Sequence, residues 1–210
     1  MSIELLERRL ADPRPAFACK PVDGAADREL IVRLQHLANG PASARLLRRI
    51  PSVPGADSAI KFYSRHDGVL LYSDHATFRE GVEIFPIAHW KKRTAEMVES
   101  WSNGKYQDEE MPYGRKDFIA IAHSRGASNY IHWVIRGPCA GSVFWWPWTM
   151  FPQKNDPPMA RDFAAFVRLI CEEPVRFLNE VIACYTHFDD GKTDTYWIPD
   201  QYIPNHKKSL

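Results

Sequence analysis

The 210-residue chain is short of the residue patterns that mark most cofactor and nucleic-acid proteins. Its four cysteines, Cys19, Cys139, Cys171 and Cys184, include no CxxC pair, and no two histidines stand at ligand spacing. A zinc site therefore has little support, and the cysteines read as free thiols in a reducing compartment. No glycine-rich phosphate loop occurs, so no cofactor is expected. An excess of one charge is missing too: Lys and Arg number 27 against 26 Asp and Glu, a net charge of +1. That excludes the global basic field of general nucleic-acid binders, and no direct nucleic-acid contact is expected. The single uncharged stretch approaching membrane length, 137–153, is broken by Pro138, Pro147 and Pro152. Residues 1–9 place Glu4 and Glu7 where a signal peptide would be basic and then apolar. The expectation is a cytoplasmic protein without a membrane segment.

What the chain has in quantity is rings. Seven Trp, eight Tyr and eleven Phe make up 12% of it, too many for a disordered or solvating sequence. A single domain of this size can remove about 70% of its unfolded surface from water, so neither disulfides nor metal are needed to hold a core.

Hydrophobic spacing places the elements. A helix is predicted over 2–10, closed by the prolines at 13 and 15. A second, amphipathic helix is predicted from Asp27, with Leu30, Ile31, Leu34, Leu37 and Ala38 on one face and Asn39-Gly40 as its stop. Its outer arginines, Arg28 and Arg33, with nearby Arg45, Arg48 and Arg49, read as a solvated basic face. A third helix runs over 57–66, with Ala59, Phe62 and Tyr63 inward, and ends at Asp67-Gly68. Strands follow at 69–72 and 81–86, then a helix carrying Trp90, Thr94, Met97, Val98 and Trp101. Three closely linked strands at 117–123, 129–136 and 142–148 form a meander. Phe163, Phe166, Val167 and Ile170 define a helix, Pro174 opens another with Phe177, Leu178 and Val181, and the tail over 193–204 is extended. Because strand neighbours point to opposite faces, Trp145 and Trp146 cannot share one core. The fold class is α+β: an antiparallel, half-covered sheet with helices packed on one side. Residues 1–49 read as an N-terminal helical extension and 50–210 as the α+β domain with its aromatic tail.

Few residues suggest chemistry. Cys171 with His132 or His187 could compose a thiol nucleophile and base, but a small buried thiol at the end of an amphipathic helix is the commoner role. His123 and His132 lie on adjacent strands without a third ligand, and two satisfied sheet histidines are the simpler reading. Ser124 lacks the first glycine of a nucleophile elbow. The run 189–194 lacks the alternating acids and closing Glu of a calcium loop and reads as a polar turn. No catalytic and no metal residue is assigned.

Residues 60–69, Ile-Lys-Phe-Tyr-Ser-Arg-His-Asp-Gly-Val, resemble the helix, turn and glycine that open the SUKH superfamily domain, the Smi/Knr-like family. In order, 81–90 resembles its second strand and following segment, and 118–122, 130–137 and 141–148 its meander. Residues 162–167 resemble its closing helix, with Asp162 in place of a Ser. The likeness covers about 50–181. It implies a single α+β domain without catalysis that recognises protein, since many bacterial members resemble immunity proteins that neutralise toxins, often nucleases.

The expected function is therefore a non-catalytic immunity protein that binds a cognate bacterial toxin. The alternative is a carbohydrate-binding or cell-wall regulatory module. Rings with a polar handle dominate protein hot spots and also stack on sugars. The candidate partner-binding residues are Trp146, Trp148, Tyr196, Trp197 and Tyr202.

Overall fold

In the computed structural model, which describes residues 2–11, 17–19, 30–32, 34–74, 81–102, 111–124, 129–146, 152–172, 185–189 and 192–196, an open six-stranded antiparallel sheet carries the fold. The elements run α1 (Ser2–Leu10), β1 (Phe17–Cys19), β2 (Leu30–Val32), β3 (Leu34–Ala38), α2 (Ala44–Leu47), α3 (Ala56–Tyr63) and β4 (Val69–Asp74). Then come β5 (Val82–Ile84), a 3-10 turn (Ile87–His89), α4 (Trp90–Ser102), β6 (Phe118–Ser124), β7 (Asn129–Val134), β8 (Val143–Trp146) and α5 (Phe163–Glu172). The hairpin β9 (Tyr185–Asp189) and β10 (Lys192–Tyr196) completes the described elements. Strands β3 to β8 pair in chain order, each antiparallel to the next.

Cross-strand register explains the two faces. Ala38, Val69, Ile84, Ala122, Ile131 and Trp145 stand directly opposite one another from edge to edge. The four central members of this row are buried. Helices α3 and α5 cover its face: the Phe163 ring packs against Phe62, Tyr63 and Trp133 at centroid distances of 5.4, 5.9 and 5.7 Å. Trp133 lies two residues beyond Ile131 on that face, and its indole N–H donates to the Gly141 carbonyl at 2.9 Å. Two long-range donors reach the last carbonyls of α5, which have no partner within the helix. The Tyr72 hydroxyl donates to the Ile170 carbonyl at 2.8 Å, and Arg9 of α1 donates to that of Cys171 at 2.7 Å. Tyr72 achieves this with φ 57, a left-handed backbone that a tyrosine adopts only when its surroundings impose it.

Helix α4 has a different task. Strand β5 stops at Ile84, which leaves the first half of β6 without a ladder partner on that side. The Phe85 amide takes the Ile121 carbonyl at 2.8 Å, and the Ala120 amide donates to Thr94 Oγ1 of α4 at 2.9 Å. A helix thus seals a sheet edge that would otherwise present bare amides.

The helix expected from Asp27 is not formed; β2 and β3 occupy its apolar span. Leu30, Leu34 and Ala38 are four apart, a spacing that suits one face of a helix and one face of a strand equally. The residues that separate the two periods are Ile31 and Leu37. Pairing with β4 turns Leu37 away from the core, and 46% of its surface is exposed. Neither α1 nor β3 stands apart: Leu6 is fully buried in the common core, and β3 is the first strand of the main sheet. The other predicted helices and strands from 57 to 170 match observed elements. The helix expected after Pro174 lies outside the described residues. In the tail, Asp189 pairs with Lys192, so the described residues of the 189–194 run, expected as a polar turn, lie in the strands β9 and β10.

The turn after α3 holds several elements at once. Gly68 has φ 95, and a Cβ there would stand 2.8 Å from the Ile84 carbonyl oxygen and 2.9 Å from the Pro86 nitrogen. Gly137 has a similar φ of 79, but a Cβ there meets nothing within 4 Å. Both Gly→Ala variants carry the positive-φ cost of about 1 kcal/mol. Only Gly68→Ala adds a clash with backbone, so it should lose at least about 2 kcal/mol in urea titration and Gly137→Ala about half that or less. Equal losses would refute the close-approach argument.

Candidate functional site

One residue along every strand from the buried row lies a second row that faces the other way. Leu37, Leu70, Glu83, His123, Tyr130 and Trp146 are mutually opposite across all six strands. Where the first row is buried at its centre, this one keeps Leu70, Glu83, His123 and Tyr130 half-buried. A charged residue between Val82 and Ile84 can sit in a central strand only because this face is open. His123 Nε2 donates to Glu83 Oε2 at 2.9 Å. The Phe85 ring packs against His123 at 4.9 Å and near Tyr130 at 6.3 Å, so the dyad rests against rings.

Helix α4 extends the polar side of the row. The Tyr130 hydroxyl donates to Glu96 Oε2 at 3.3 Å, and Arg93 donates to the same oxygen at 3.0 Å while its guanidinium lies 5.1 Å over the Phe85 ring. Desolvation pushes the Glu96 carboxyl up, but Arg93 and then Lys92 pull it below its ordinary value, so it is ionised at neutral pH. Desolvation, and then the Glu96 charge, raise Tyr130, which keeps its proton and serves as a donor. Among the described residues, the carboxylates of this row and its α4 flank, Glu83 and Glu96, are partnered by His123 and Arg93. The result is a half-buried surface whose polar side chains are hydrogen-bonded to one another.

Trp146 closes the row at the β8 edge, yet only 7% of its surface is exposed, so it offers a partner little contact area itself. Tyr196 ends β10 opposite Tyr185. Trp148, Trp197 and Tyr202 lie outside the described residues. As expected, register puts Trp145 and Trp146 on opposite faces, Trp145 beside Ile131 and Trp146 beside Tyr130. Glu83, Arg93 and Glu96 went unassigned in the sequence; the available signal was the lone Glu in the alternating 81–86 strand.

His123 and His132 do not form a pair. His132 is fully buried, boxed by Tyr113, Phe118 and Phe144 and hydrogen-bonded to the Tyr113 hydroxyl. The mixed face of β7 is thus split, open at Tyr130 and closed over His132 by the segment carrying Met111 and Tyr113. Among the described residues no three His, Cys, Asp or Glu side chains converge as metal ligands. Burial pushes the Cys171 thiol up to about 12, the opposite of an activated thiolate. Also among the described residues, no helix is long and apolar enough to cross a membrane.

Two measurements check these environments. Burial pushes His132 down to about 3. Below about pH 6.5 the unfolded chain takes up a proton there that the folded protein refuses until about 3. Stability should therefore fall with pH through that window by up to about 1.4 kcal/mol per unit from this group. The double variant His132→Phe/Tyr113→Phe, which removes both the titration and its hydrogen-bond partner, should show a shallower slope in urea titrations between pH 6.5 and 4.5; an unchanged slope would exclude His132 as the source. Cys171 should resist iodoacetamide in the native protein at pH 7.5 and react on unfolding, as read by peptide mass spectrometry. Searches against models of known protein families and against characterised proteins find no match to this sequence.

Proposed function

We propose that this chain is a non-catalytic protein-binding domain, an immunity protein that neutralises a cognate bacterial toxin by covering its active site. The observation that carries the reading is the row of exposed Leu37 and half-buried Leu70, Glu83, His123 and Tyr130 on the sheet face opposite α3 and α5. Such a surface suits a protein partner. It combines apolar contact area at the β3 and β4 end with a Tyr and an Arg, the residue types that dominate protein hot spots. Its charged groups already hold one another in place, so little side-chain freedom is lost on binding. The likeness of 50–181 to SUKH domains supports the same reading. A sugar platform would instead need flat exposed rings, whereas Trp133 is fully buried and Trp146 nearly so.

Co-expression with the toxin encoded by the neighbouring gene tests the proposal. Cells should survive, and a stable complex should be recovered. Tyr130→Ala and Leu70→Asp, both at half-buried sites, should weaken that complex at least tenfold, about 1.4 kcal/mol or more, with thermal unfolding still cooperative. Cell death alongside the intact wild-type protein, with no complex recovered, would sink the reading.

A further inference from the structure

The flank of α4 turned away from the Glu83–His123 row borders a separate groove of about 510 Å³, between α4 and the start of β6. On the helix, Lys91, Thr94, Ala95 and Val98 line it, one stripe at helical spacing, while Arg93 and Glu96 belong to the opposite flank. Its apolar lining is made by the half-buried Val98, Ile119 and Ile135 over the buried Ile87, Trp90 and Phe118. Among the described residues, the charged groups in its lining are the cations Arg49, Lys91 and Lys116, together with Arg115, which has an interaction of its own. In a chain of net charge +1 this grouping is local. Arg49, Lys91 and Lys116 are exposed. The nearest acid in sequence, Asp117, is engaged in its own turn, where Oδ2 accepts the Gly114 amide at 3.0 Å.

An apolar floor inside a cationic rim selects a ligand of matching pattern. We propose that this groove binds an acidic segment of a partner protein, seating one bulky apolar side chain against Val98, Ile119 and Ile135 while flanking carboxylates meet Lys91, Lys116 and Arg49. The segment is protein, not nucleic acid, because the rim encloses an apolar floor and the rest of the chain lacks a basic field to track a phosphate backbone. The inference rests on the binding-domain reading only in taking the occupant to be protein. In an immunity protein it gives the toxin a second, electrostatic anchor on the far side of α4 from the row.

The probe is a fluorescein-labelled hexapeptide, Asp-Glu-Phe-Leu-Glu-Asp, titrated with the full chain and read by anisotropy. Saturable binding is expected at low salt, weakening at least tenfold between 50 and 500 mM NaCl. A Lys-Gln-Phe-Leu-Gln-Lys control should not bind. The exposed-site variant Lys91→Glu/Lys116→Glu should lose the acidic peptide at least tenfold, and Ala95→Phe, which fills the groove without changing charge, should do the same. Circular dichroism melts identify any variant that has failed to fold, and the other then carries the test. Binding that ignores the charge reversal and the groove filling would overturn the proposal. So would tighter binding of a single-stranded oligonucleotide than of the peptide. Binding that appears only after Asp108, Glu109 and Glu110 are changed to Asn and Gln would assign the groove to this chain's own acidic run and overturn it likewise. If the toxin complex forms equally well with Lys91→Glu/Lys116→Glu and the peptide never binds, the groove inference fails while the immunity reading stands; the converse pattern removes only the immunity reading.

Discussion

The three residues His66, Asp67 and Gly68 tie together more of this molecule than any helix does. The His66 ring bridges the Asn39 carbonyl at 3.3 Å and the Glu7 carboxylate of α1 at 3.0 Å. The Asp67 amide donates to the Gly40 carbonyl, its own carbonyl accepts from the Asn39 side chain, and its carboxylate accepts the Ile87 amide at 2.9 Å. The Gly68 carbonyl accepts the Asn39 amide, and the bare Cα of Gly68 lets the chain pass against Ile84 and Pro86. The end of β3, the start of β4, the exit from β5 and the entry to α4 all meet at this turn. None of these contacts adds much alone, since a single hydrogen bond contributes about 1 kcal/mol net. Their effect is positional: they fix where β4 begins, and the start of β4 sets the register of the strands on either side.

Register in turn separates the two faces. A shift of one residue at any strand pair would exchange the Val69–Ile84–Ala122–Ile131 row for the Leu70–Glu83–His123–Tyr130 row and bury a carboxylate and an imidazole under Phe163. That penalty disfavours every register shifted by one residue. The bulge at Ile121 permits the arrangement to coexist with α4. It realigns β6 just where β5 has ended, so that the Ala120 amide reaches Thr94 and the open edge is sealed by a hydroxyl from a helix.

Much of this was legible in the chain. The helix ending in Asp67-Gly68, the meander of β6 to β8, the α5 stripe and the opposed faces of Trp145 and Trp146 follow from period and turn residues alone. The failure at 30–38 has a definite cause: apolar residues four apart fit both periods, and the choice between them was made by backbone pairing that no local pattern encodes, of 30–32 with β1 and of 34–38 with β4. The site was legible in part. His123 could be placed on its strand, but its partner could not, because Glu83 and Glu96 reach the same face only through register and through α4, both non-local. The aromatic count proved a poor guide to surface: Trp133, Phe163 and Tyr63 are core, and Trp146 keeps only an edge exposed.

The position of α4 also gives the molecule two surfaces of different electrostatic character. On one flank Arg93 and Glu96 pair beside a Tyr and a His–Glu dyad, so on the proposed reading that face would select by shape and hydrogen-bond geometry. On the other flank Arg49, Lys91 and Lys116 border an apolar lining in which, among the described residues, there is no carboxylate, so on the proposed reading attraction there would act at longer range and depend on ionic strength. Long-range attraction changes how fast a charged partner arrives, whereas a pre-ordered neutral face changes how slowly a matched one leaves. On the proposed reading, a single helix, recruited to seal a strand edge, would separate the surface of first encounter from the surface that discriminates between partners.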